Sequence, residues 1–149
     1  MVTHRSFTKS LFATAILAMG IAGCSSMQAS NKVTLTAQMT AAQEVPATAS
    51  SGTGTAEAWL NKDTNLLTWK VSFSGLTGPA TAAHFHGPAA PGSNAGVVVP
   101  FTGTTSPLEG QATLTPAQAA DLLAGKWYAN VHTAANKGGE IRGQMVPKM

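Results

Sequence analysis

Leu67-Thr68-Trp69-Lys70-Val71-Ser72-Phe73 places a large apolar side chain at every second position and a polar one between. An extended strand turns successive side chains to opposite faces, so Leu67, Trp69, Val71 and Phe73 share one face, and that face is core. Thr55 to Leu60 precede this strand across the turn Asn61-Lys62-Asp63-Thr64-Asn65, which predicts a hairpin. Further upstream, Val33-Thr34-Leu35-Thr36-Ala37-Gln38-Met39 alternates in the same way and is read as a first strand with one buried face. Between them Ala42 to Thr53 is a loop, because Pro46 and Ser50-Ser51-Gly52 break regular structure. Downstream, a turn at Gly75 to Pro79 leads into the strand Ala82-Ala83-His84-Phe85-His86, stopped by Gly87-Pro88. Pro88 to Asn94 reads as a flexible loop, Val97-Val98-Val99 as a short buried strand and Gln111 to Leu114 as another. Thr115 as N-cap, Pro116 at the first helical position, Gln118 as the capping-box partner and Gly125 at the end define one short helix. Trp127 to Thr133 and Glu140 to Val146 close the chain as an antiparallel pair across a turn containing Gly138-Gly139. About eight short strands with one helix predict an all-β protein, an antiparallel, Greek-key-like β-sandwich.

The N-terminus reads as an export signal over residues 1–23: basic His4, Arg5 and Lys9, an apolar stretch from Leu11 to Ile21, then small residues. Ile21-Ala22-Gly23-Cys24 resembles the lipobox of bacterial lipoproteins, which implies that Cys24 is acylated, carrying palmitate or a related chain, and becomes the first residue of the mature protein. The other reading is an ordinary secretory peptide that leaves a spare cysteine. Cys24 is the sole cysteine, which excludes an intrachain disulfide and a thiolate metal cluster. Residues 24–32 form a lipidated polar tether and residues 33–146 a single domain. The expected location is the cell envelope, with the protein anchored to a membrane by lipid. Ser25 after the cysteine resembles outer-membrane sorting, facing the periplasm or the cell surface. Removing Arg5 and Lys9 with the signal leaves seven basic against six acidic side chains and no basic patch, so nucleic acid is not an expected partner.

Every histidine of the mature chain falls in two motifs, His84-Phe85-His86 and Asn130-Val131-His132-Thr133. On a strand, the spacing of His84 and His86 turns both imidazoles to one face, roughly 6 to 7 Å apart at Cα, and a neighbouring strand can add His132. Three neutral imidazoles with an open position suit Cu(I), Cu(II) or Zn(II), and the Irving-Williams order favours copper among divalent ions. The competing reading makes all three ordinary packing residues. Asn130 and Tyr128 share the face of His132 and are candidates for fixing an imidazole tautomer. Glu140 and Arg142 are expected to share a strand face and to pair with each other or with neighbours. Nearer a metal, Glu140 would accept a histidine proton and Arg142 attract anions. Trp59, Trp69, Trp127, Phe73, Phe85 and Phe101 are read as core, as are Met39 and Met145.

Ala83-His84-Phe85-His86-Gly87-Pro88, Gly96-Val97-Val98, Leu114-Thr115 to Leu123, Gly125-Lys126-Trp127-Tyr128-Ala129-Asn130-Val131-His132-Thr133 and Gly139-Glu140-Ile141-Arg142-Gly143-Gln144, in that order, resemble the CHRD domain, the module named after the chordin repeats. The resemblance implies a non-enzymatic module that holds an envelope protein or a glycan. The His-x-His pair with a later histidine is also similar to the copper ligands of copper-zinc superoxide dismutase, which implies His84, His86 and His132 as ligands and Arg142 as an anion guide. The chain lacks the bridging histidine, the zinc-loop ligands and the disulfide of that family, so this likeness extends to one ion at most. A dismutase-like or zinc-dependent enzyme is therefore the weakest of the three readings. The first is a copper-binding envelope protein, and the second is the interaction module with structural histidines.

Overall fold

A computed structural model describes residues 1–2 and 31–148. Residues 3–30, which hold the apolar stretch of the expected signal, Cys24 and nearly all of the tether, lie outside the described residues. No helix among the described residues is long and apolar enough to cross a membrane.

The strands are β1 (Lys32–Thr40), β2 (Thr53–Asn61), β3 (Leu66–Ser74), β4 (Ala80–His86), β5 (Val97–Pro100), β6 (Leu108–Thr113), β7 (Tyr128–Thr133), β8 (Ile141–Gln144) and β9 (Val146–Pro147), with one helix, α1 (Pro116–Leu123), before β7. Their order across the sheet is β5-β4-β7-β8-β1-β2-β3-β6, with β9 added beside β1, and every pairing is antiparallel. The chain makes a β1-β2-β3 meander, crosses to β4 and β5, returns to β6 beside β3, and crosses again to β7 beside β4. This is the Greek-key-like path expected, folded so that the apolar faces of the two halves meet. At the seam, β8 and β1 share the register pair Thr40↔Arg142, and β9 continues along β1 through Thr36↔Val146 and Leu35↔Pro147.

The period-two pattern decides which side chains meet inside. Leu35, Ala37 and Met39 of β1, Ala56, Ala58 and Leu60 of β2, and Leu67, Trp69 and Val71 of β3 form one inner surface. Ala83 and Phe85 of β4, Ala129 and Val131 of β7, and Ile141 of β8 form the other. Trp69 meets Phe85 edge to face at 5.6 Å between ring centroids, and Phe101 lies 5.2 Å from Trp69 and 4.7 Å from Phe85. Trp127 is buried 6.1 Å from Phe85, so aromatics from both halves interlock at the centre. Trp59 departs from the expectation. Ala58 and Leu60 take the core face of β2, so Trp59 points outward, where Lys32 lies 5.4 Å from its ring centroid.

The helix forms as its sequence predicts: Thr115 Oγ1 accepts from the Gln118 N–H, Gln118 Oε1 accepts from the Thr115 N–H, and Gly125 at φ 71° ends it. The loop expected to be flexible between Pro88 and Asn94 is instead tied down. The Ala89 N–H donates to Lys126 O, Gln144 Nε2 donates to Ala89 O, and Asn94 Nδ2 donates to Val45 O. That loop and the segment from Ala41 to Ser50 lie over the outer face of β4, β7 and β8, where the histidines are.

Candidate metal centre

Because Ala83 and Phe85 fill the core, the alternation of β4 turns His84 and His86 to the outer face. The same alternation on β7 buries Ala129 and Val131 in the core and leaves Tyr128, Asn130 and His132 outside. Register then brings the two sets together, with His84 opposite Asn130 and His86 opposite Tyr128, and with Arg142 of β8 on the far side of Asn130. The ligand nitrogens of His84, His86 and His132 all lie within 4.8 Å of one another. Three nitrogens held about 2.0–2.1 Å from one ion lie roughly 3.3–3.6 Å from one another, so an ion can touch all three after closing of about 1.5 Å at most.

Backbone carbonyls settle two of the tautomers. His86 Nδ1 lies 3.0 Å from Ala95 O and His132 Nδ1 lies 2.9 Å from Lys137 O. A carbonyl only accepts, so each Nδ1 carries the hydrogen and each Nε2 keeps a lone pair. His132 Nε2 sits 3.2 Å from His84 Nδ1, while His86 Nε2 is buried and has no hydrogen-bond partner among the described residues. Burial first, and then the neighbouring imidazoles of His132 and His86, lower the His84 pKa from its ordinary 6.5 to about 4. Burial also lowers that of His86, with His132 and Arg142 acting in the same direction against the Ala95 and Gly96 carbonyls. Both rings are thus neutral at pH 7, the form in which imidazole binds metal.

A stack supports His86 from the side. Tyr128 lies parallel to it, 4.9 Å between centroids and 1° between planes, and the Arg142 guanidinium carbon lies 4.4 Å from the Tyr128 centroid on the same outer face. The Tyr128 hydroxyl accepts from the Ala95 N–H at 3.2 Å. Arg142 is buried, donating from Nε to Gln43 O at 2.6 Å and from Nη1 to Asn94 Oδ1 at 2.9 Å. It braces the covering loops and contacts the stack.

Glu140 goes elsewhere. Its carboxylate, fully buried, accepts hydrogen bonds from Ser50 Oγ, the Thr77 N–H, Thr77 Oγ1, Thr133 Oγ1 and Asn136 Nδ2. The expected pairing with Arg142 and the expected contact with a histidine are both replaced by this cage. The physical reason is that β8 begins at Ile141, so Glu140 precedes the strand and is not bound by its alternation.

Glu44 is the residue that sequence reasoning missed. Buried within the segment from Ala41 to Ser50, it accepts from Asn130 Nδ2 at 2.6 Å. Gly139, at φ 130°, makes room for this bond, since a Cβ there would fall 2.3 Å from Asn130 Nδ2 and 2.7 Å from Glu44 Oε1. Burial raises the Glu44 pKa from 4.5 to about 7 against the lowering effects of Arg142, the Val45 N–H and Asn130. Its only signal in the sequence is that it is one of six acidic residues in a sparsely charged chain.

The two shifted groups act oppositely on stability. For His84, the unfolded chain binds the proton first, so stability is lost as pH falls from 6.5 through about 4. For Glu44, the folded chain binds the extra proton, so stability is lost as pH rises from 4.5 through about 7. In an NMR titration of the metal-free protein, the His84 ring is expected to change charge near pH 4 and the Glu44 carboxyl near pH 7. A His84 midpoint at its ordinary 6.5 would show that the ring is not packed as described.

The family model of the CHRD domain matches residues 35–145. The chain belongs to the CHRD family. No curated protein and no solved structure matches it. The matched span of this CHRD domain contains all three histidines, both covering segments and Glu44.

Proposed function

We propose that this CHRD domain binds one metal ion, copper, through His84 Nδ1, His86 Nε2 and His132 Nε2, and that it does so at the cell envelope, held by an acylated Cys24. The observation that carries the reading is the His86 Nε2 atom. It is buried and has no partner among the described residues, its tautomer is fixed by Ala95 so that a lone pair is available, and its ring belongs to a group in which one nitrogen from each imidazole lies within 4.8 Å of the others. Leaving such an atom without a partner costs free energy that a bound ion recovers. Between His84 Nδ1 and His132 Nε2, a single shared hydrogen occupies the 3.2 Å gap. A cation replaces that hydrogen, which moves to His84 Nε2. The Ala95 and Lys137 carbonyls give His86 and His132 the second hydrogen bond that orients metal-bound imidazoles. With no thiolate or carboxylate in the set, copper is favoured over zinc, for which three histidines plus water remain a competent set.

The role that follows is copper sequestration, limiting redox damage at the envelope. Titration of the full chain with Cu(I) and Cu(II) is expected to reveal one tight site that is lost in the His84→Ala, His86→Ala, His132→Ala triple variant. Unchanged affinity in that variant overturns the reading. The anchor has its own test: Cys24→Ser should move the protein from the membrane fraction to the soluble one, and continued membrane retention would remove the lipid from the proposal.

Membership of the CHRD family supports a second reading, a non-enzymatic interaction module for an envelope protein or glycan. A contiguous exposed apolar patch would mark a protein-binding face of such a module. Beyond the first two residues, the large apolar side chains exposed among the described residues are Val97 and Val146, on separate strands of the sheet. The metal reading therefore comes first.

A further inference from the structure

Asn130 occupies the middle of the outer face. Across the sheet its register partners are His84 and Arg142, and along β7 its neighbours on that face are Tyr128 and His132. The side chain is 2 % exposed, and only one end of its amide is satisfied: Nδ2 donates to Glu44, whereas Oδ1 is buried with no partner among the described residues. Arg142 does not serve it, because that guanidinium is directed to Gln43 O and Asn94 Oδ1. The imidazoles do not serve it either, since the hydrogens fixed on His86 and His132 point to Ala95 and Lys137. A buried amide oxygen in native proteins has a donor, and where no side chain supplies one an ordered water or ion does.

We propose, on the basis of the copper reading above, that the bound ion keeps a fourth, exchangeable position filled by water hydrogen-bonded to Asn130 Oδ1, that Glu44 holds the amide in place for this, and that small anions displace the water. Three imidazoles alone leave a coordination position open. A cation polarises the O–H bonds of its water, making that water a strong donor for the amide oxygen of the residue directly opposite His84. The same water explains why two of the buried atoms without partners, His86 Nε2 and Asn130 Oδ1, occur together on this face. One takes the metal and the other takes the metal's water. Gly139 belongs to the same device, because any side chain there would displace Glu44 from the amide. The site is thereby open to exchange at one position while three protein ligands stay in place.

The test uses the full chain loaded with Cu(II), with azide as the probe. Water-proton relaxation of the loaded protein should fall as azide is added, reporting the displacement of an inner-sphere water. Azide has no hydrogen to donate, so displacing the water strands Asn130 Oδ1 in the wild type. Removing the amide lifts that penalty, and Asn130→Ala is expected to bind azide about 3- to 10-fold more tightly, read from the azide-to-copper charge-transfer band. Glu44→Ala, a change in a covering loop, frees the amide to turn and should shift azide affinity in the same direction by about 2- to 5-fold. Copper uptake with wild-type azide affinity in both variants, or relaxation that azide leaves unchanged, overturns the water and leaves the three-histidine site standing. Failure of the wild type to take up copper overturns both.

Discussion

Glu140→Ala is expected to cost about 3–5 kcal/mol of folding free energy, read as a lower urea midpoint at unchanged slope. The size follows from the cage. Ser50 Oγ at 2.6 Å, the Thr77 N–H at 2.7 Å, Thr77 Oγ1 at 2.7 Å, Thr133 Oγ1 at 2.5 Å and Asn136 Nδ2 at 3.1 Å all donate to this one carboxylate. Without it, donors from three separate loops and from the end of β7 are left buried and unpaired. Burial by itself would raise the Glu140 pKa, but the hydrogen bonds from Ser50, Thr133 and Thr77 outweigh it and bring it from 4.5 down to about 2. The folded pKa lies below the unfolded one, so this stabilisation is fully present above pH 4.5 and is lost as pH falls through about 2. The wild type should therefore show an acid-unfolding limb in that range that the alanine variant lacks. A cost below about 1 kcal/mol, or an identical acid limb in both proteins, would show that the cage is not holding the loops.

The second large effect is on stability in the presence of metal. With free copper at one hundred times its Kd, the wild type should gain about 2.7 kcal/mol, a rise in Tm on the order of 10 °C. His86→Ala should abolish the gain. It should also weaken copper binding by more than the 10- to 100-fold that losing a supporting residue costs, because it deletes a ligand. Asn130→Ala should retain most of the gain. Calorimetry with and without copper separates these outcomes, and an equal copper-dependent shift in wild type and His86→Ala would place the ion elsewhere.

The strands were legible because one buried face imposes a period of two, and Leu67, Trp69, Val71 and Ala83, Phe85 carry it without interruption. The helix was legible from Thr115, Pro116 and Gln118, whose cap is entirely local. The spacing of His84 and His86 puts them on one face of β4, and Phe85 turns that face outward by filling the core. Trp59 shows where the rule of buried aromatics yields to alternation, because its neighbours already occupy the inner face. Glu140 was misplaced because it stands one residue before β8, outside the pattern that governs Arg142. Glu44 could not be placed at all. It lies 86 positions from Asn130 in the chain, and its role depends on where a loop folds over the sheet.

The imidazoles of His86 and His132 are held through main-chain oxygens at positions 95 and 137. A main-chain oxygen is present whatever side chain is attached, so the chemical identity of those two residues is free to drift while the path of the chain is kept. Searches by residue type will find the ligands in distant members of such a family and overlook what aims them; only the shape of the two loops carries that information.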